Sequence, residues 1–183
     1  MPLGSERILE TRQIAVLSVL SALCIGVQLT PRPPNVEFTS LFCFLTGFLF
    51  GSPFGILLGA LTMFINGFLS PWGLAGLNLP FQMAGMAIIG FAGGVYRKTL
   101  QSERFSVIHF VELPVMAAFL TLLYNLITNF GFALIAGIDL IFALIMGVWF
   151  TVIQVVWNTF LFTAAFIPMV EAIRKVWSGS AKP

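Results

Sequence analysis

A small set of amide, carboxylate and aromatic side chains carries most of the chemistry available to this chain. Asn125 and Asn129 stand four residues apart, so they share one face of a helix, and Tyr124 adjoins them. Asn66 closes one apolar run and Gln82 opens the next, while Asn35, Glu37 and Trp72 lie in the connections. Amides read hydrogen-bonding groups on a ligand, and aromatic rings supply flat contact area. Asn and Gln also bond packed membrane helices to one another, so each residue taken singly supports either reading. Catalytic and nucleotide-binding patterns are missing: there is no GxSxG, HExxH, CxxC or P-loop, and no segment holds two carboxylates. An enzyme therefore fits poorly, and the chain needs partners to use ATP. No metal or other cofactor of its own is expected. His109 is the only histidine, and Cys24 and Cys43 read as buried free thiols with no zinc-ligand spacing.

The elements that hold these residues belong in a membrane. The 183 residues are 58% hydrophobic and 9% charged, too little charge to coat a water-exposed surface, where about 25% is usual. A net charge of +2, without a basic stripe, gives no reason to expect nucleic acid. Apolar segments fall at roughly 13–30, 38–51, 54–69, 80–96, 110–137 and 140–170, and the reading is one all-α membrane domain over 1–183. The first run follows a polar start without a small-residue cleavage site, so it reads as a retained span. Basic residues gather at Arg7 and Arg12, at Arg97, Lys98 and Arg104, and at Arg174, Lys175 and Lys182. The alternate connections hold only Arg32, which puts both termini and the 97–106 loop in the cytoplasm and fits six spans.

This topology gives the polar residues a common depth. Asn66, Gln82, Asn125 and Asn129 all lie toward the outer ends of their segments, next to the loops with Asn35, Glu37 and Trp72. That convergence favours an outward-facing pocket over scattered helix-to-helix bonding, with Asn125→Ala and Asn129→Ala weakening binding without unfolding. Gln154 and Asn158 share a face deeper in the sixth segment, where interhelical bonding is the better reading. In "TGFLFGSPFGILLGALTMFINGF" the glycines recur every four residues, but Pro53 splits the run into two short helices joined by a tight turn. Ser18, Ala22 and Gly26 form a small-residue stripe on the first segment, suited either to packing within the bundle or to docking a separate membrane subunit.

The chain resembles the substrate-binding S components of energy-coupling factor (ECF) transporters. The likeness rests on six short spans, on "PPNVEFTSLFCFLTGFLFGSPFGILLGALTMFINGF", on "LPFQMAGMAIIGFAGGVYRK" and on "VVWNTFLFTAAFIPMVEAIRK". The resemblance implies capture of a vitamin near the outer surface, with the first outer loop as a lid. It also implies association with a transmembrane coupling subunit and two ATP-binding subunits, toppling in the bilayer and release inside. The small-residue motif that meets the coupling subunit in such proteins corresponds to Ser18, Ala22 and Gly26, in a looser form. The "PNVEF" and "PFQM" stretches lean toward a corrinoid such as cobalamin. The competing reading is a structural or assembly membrane protein without a small-molecule ligand.

Overall fold

The computed structural model describes residues 3–31, 33–69, 75–100 and 107–179, with side chains described from residue 14 onward except at 16 and 176–179. Six helices follow one another: α1 (Leu3–Leu29), α2 (Thr39–Phe50), α3 (Ser52–Leu69), α4 (Leu79–Thr99), α5 (His109–Ala136) and α6 (Leu140–Gly179). A single 3-10 turn, Gly76–Asn78, leads into α4, and no strand occurs among the described residues. The helices that close the apolar runs are longer than the runs themselves. Helix α1 begins ten residues before the run at 13, and α6 extends nine residues past 170. Hydropathy marks where the bilayer ends, whereas Glu, Arg and Lys continue a helix into water at little cost.

Four of the helices, in α3, α4, α5 and α6, are long and apolar enough to cross a bilayer. Helix α2 has 12 residues, about 18 Å at about 1.5 Å per residue, short of a hydrocarbon core of about 30 Å. Its shortness has a local cause. Gly51 takes φ +101°, a backbone state open to glycine, and its N–H closes α2 on the Gly47 carbonyl at 2.8 Å. Pro53 then sits in the first turn of α3, where a missing N–H does no harm. Arg97 Nη1 donates to the Leu49 carbonyl at 2.8 Å, satisfying one of the free carbonyls at this end.

The expected two-helix turn is therefore present, and the glycines around it serve a third helix. A Cβ on Gly47 or Gly55 would overlap the Gly90 carbonyl, and one on Gly93 would overlap the Phe44 carbonyl. Helices α2 and α3 thus meet α4 backbone to backbone, which side chains would forbid. Beside this contact α2 and α6 share an aromatic core. Phe44, Phe48, Phe162 and Phe166 interlock at ring-centroid distances of 5.2 to 5.4 Å for Phe44–Phe162, Phe44–Phe166 and Phe48–Phe166. The outward faces of α5 and α6 carry Phe119, Phe130, Ile145, Trp149 and Val156, all exposed and suited to lipid.

Candidate ligand-binding site

The outer half of the bundle is hollow. A cavity of about 490 Å³ opens among Gln28 of α1, Asn35 and Glu37 of the following loop, Asn66 of α3, Asn78 and Gln82 at the start of α4, Tyr124, Asn125 and Asn129 of α5, and Gln154 of α6. Met63, Met86 and Phe132 supply apolar wall. Seven of the eight residues singled out from sequence line it; Trp72 lies outside the described residues. The volume falls in the range of about 300–1,000 Å³ that holds cofactor-sized ligands.

Local rules place each wall. Glycine at 85 lets the Tyr124 ring lie against α4, since a Cβ there would sit 2.6 Å from Tyr124 Cδ2. Gly131 likewise makes room for Phe81 and for the Asn78 carbonyl. Gly137, at φ +65°, ends α5, and Asp139 Oδ1 accepts the Ile141 N–H at 2.8 Å to start α6. Asn35 adopts φ +60°, a state that asparagine tolerates better than most residues, and its Nδ2 donates to the Phe150 carbonyl at 3.0 Å. The loop from α1 to α2 is thereby fastened to α6 on its outer side.

Glu37 anchors the inner side of the same loop. Its carboxylate accepts the Ser40 N–H at 2.9 Å, the Ser40 hydroxyl, and Asn158 Nδ2 at 3.0 Å. Its backbone carbonyl accepts the Trp157 indole N–H at 2.9 Å. The bond to Ser40 N–H also satisfies an orphan donor in the first turn of α2, where a negative charge suits the helix dipole. Asn158 gives its second Nδ2 hydrogen to Thr121 Oγ1 at 3.0 Å, so α5 and α6 are tied to this carboxylate together. Thr39 completes the ring by donating to Gln28 Oε1 at 2.7 Å, which links α2 to α1.

The amides in the wall fall into two kinds. Asn125 is consumed by structure: Nδ2 donates to the Thr121 carbonyl at 2.9 Å and to Gln154 Oε1 at 3.0 Å, and Oδ1 accepts from Thr151 at 3.1 Å. Asn129 Nδ2 donates to the Asn125 carbonyl at 2.8 Å. Removing Asn125 would therefore take three hydrogen bonds from α5 and α6 as well as a group from the wall. Asn66 and Asn78 differ, because each has a buried Oδ1 with no hydrogen-bond partner. An amide left so is costly unless something else satisfies it.

Sequence reasoning missed Gln28, Asn78 and Gln154 as wall residues. Gln28 carries the same signal as Asn66, an amide near the outer end of an apolar run. Gln154 bonds across to Asn125 of α5, the interhelical role expected of it, and in the outer half of the 40-residue α6 it also lines the cavity. Trp149 faces outward at 69% exposure, whereas Trp157 turns inward onto Phe38 and Glu37. Cys24 and Cys43 are both buried and free, as expected. Ser18, Ala22 and Gly26 are exposed, and nothing lies within 4 Å of a Cβ built on Gly26. The packing explanation for this stripe therefore fails within the chain.

No curated protein and no solved structure matches the sequence. The family described as ECF-type riboflavin transporter, S component, matches residues 8–175. All six helices and every described wall residue of the cavity fall inside or overlap that span. S components work with a vitamin substrate and with a module of membrane and ATPase subunits. The chain belongs to the ECF-type riboflavin transporter S component family, and it is a multi-pass membrane protein of the vitamin-binding, non-enzymatic kind that the family comprises.

Proposed function

We propose that this protein captures riboflavin, or a flavin closely related to it, in the outer cavity and hands it inward through a coupling subunit driven by two ATP-binding subunits. The observation that carries the reading is the cavity itself, about 490 Å³ walled by amides, with the partnerless Asn66 and Asn78 carbonyls among its lining residues. A flavin brings an imide N–H and several hydroxyls, the donors that such acceptors lack. Its flat three-ring system suits walls of Tyr124, Phe132, Met63 and Met86. Asn35, Glu37, Asn66, Gln82, Tyr124, Asn125 and Asn129 are the residues assigned to binding, with Gln28, Asn78 and Gln154 added. The corrinoid preference finds no support in the family description, which names riboflavin. A corrin macrocycle with its side chains is also far larger than a flavin.

The exposed stripe of Ser18, Ala22 and Gly26 is the surface offered to the coupling subunit, and the chain acts as one membrane unit without a cofactor of its own. The test begins with the purified protein in detergent. Flavin absorption with mass spectrometry of the released ligand, followed by a riboflavin titration, supports the reading if both are positive. No flavin, and no thermal shift across a vitamin panel, returns the protein to a structural or assembly role. Uptake by proteoliposomes that lack the coupling and ATP-binding subunits would remove the dependence on partners.

A further inference from the structure

We infer that Glu37 makes the cavity selective for an uncharged vitamin over its phosphate ester, an inference that rests on the flavin reading above. The described residues that line the cavity include one carboxylate and no Lys, Arg or His. Three donors converge on that carboxylate: the Ser40 N–H, the Ser40 hydroxyl and Asn158 Nδ2. A carboxylate is an acceptor-only group and takes all three donors on its two oxygens. The group is also 5% exposed, so water does little to screen it.

Glu37 is part of the lining of a cavity of about 490 Å³, so its charge acts on a ligand group held beside it. At an effective dielectric constant of about 20, a phosphate monoester held there is disfavoured by at least about tenfold relative to the neutral parent. The neutral ligand's hydroxyl and imide donors suffer no such penalty.

The experiment titrates the 183-residue protein in detergent with riboflavin and with riboflavin 5′-phosphate, following quenching of flavin fluorescence. Wild type is expected to favour riboflavin by at least about tenfold, and Glu37→Gln to shrink that ratio by threefold or more. If the Glu37→Gln protein does not fold, Gln82→Glu adds a second carboxylate to the same wall and is expected to widen the ratio. Equal affinities in wild type, or a ratio unmoved in either variant that folds, overturn the inference while leaving flavin binding intact. Failure of both flavins to bind wild type overturns the flavin reading and this inference with it.

Discussion

Asn158 donates its Nδ2 hydrogen to Glu37 Oε1 at 3.0 Å, across 121 residues of sequence. The bond joins the loop between α1 and α2 to the middle of α6, and the second hydrogen of the same amide holds Thr121 of α5. Both groups are buried, Asn158 completely. Replacing Asn158 with Leu leaves a buried carboxylate with one donor fewer, and the loss should be about 1–3 kcal/mol. Thermal melts of the detergent-solubilised protein should show it as a clear fall in Tm. Glu37→Gln combined with Asn158→Leu should cost less than the two single losses added together, because the two groups share one bond.

Asn125 should behave as a structural residue as well as a wall residue. Its side chain makes three hydrogen bonds, to the Thr121 carbonyl, Gln154 and Thr151. Asn125→Ala should therefore lower Tm along with ligand affinity, and Thr151→Val, which removes one of those bonds from outside the cavity lining, should lower Tm by less. An Asn125→Ala protein as stable as wild type would show that α5 and α6 are held mainly by their apolar contacts.

Hydropathy gave the number of helices and picked out the amides that line the cavity, because each reflects a cost that acts on single residues. An amide in hydrocarbon is expensive wherever it sits, so Asn66, Gln82 and Asn129 stood out at once. What each amide does once buried depends on its neighbours. Asn125 and Asn66 are alike in sequence context, yet one is fully bonded and the other has a buried carbonyl without a partner. Gly90 and Gly93 show the same limit. Nothing local distinguishes them from other glycines, and their use appears only when α2 and α3 lie across α4.

Gly90 and Gly26 make a controlled pair. A Cβ on Gly90 would overlap the Gly55 carbonyl, a backbone atom that has nowhere to go, whereas one on Gly26 meets nothing within 4 Å. Gly90→Ala should destabilise by about 1–3 kcal/mol or more and reduce the yield of folded protein. Gly26→Ala should leave Tm unchanged or slightly raised, since alanine is the better helix former. Size-exclusion profiles and melts of the two proteins, prepared side by side, check both.

Ala22 tests the docking stripe in a way that spares the site. It is exposed on α1, away from the cavity lining, so a bulky replacement has space in the isolated subunit. Ala22→Trp should leave Tm and riboflavin affinity within error of wild type. It should also abolish co-purification with the coupling and ATP-binding subunits, because a large ring prevents the close approach of a second helix. Retained co-purification would move the docking surface to another face.

Asn66 and Asn78 should separate binding from stability in the opposite sense to Asn125. Each has a buried carbonyl without a partner in the ligand-free protein, so replacing either with Leu, branched at the same carbon, removes an unmet hydrogen-bonding need. Tm of the ligand-free Asn66→Leu and Asn78→Leu proteins should hold or rise, by an amount worth up to about 1 kcal/mol. Riboflavin affinity should fall about tenfold in each, the size of one lost hydrogen bond to a desolvated partner. Turning either amide end for end does not alter the expectation, because an unpaired NH₂ would then take the carbonyl's place. A fall in Tm with unchanged affinity would instead assign both residues to holding the Gly76–Asn78 turn against α3 and α5, and the flavin would then take its polar contacts from Gln82, Asn129 and Gln154.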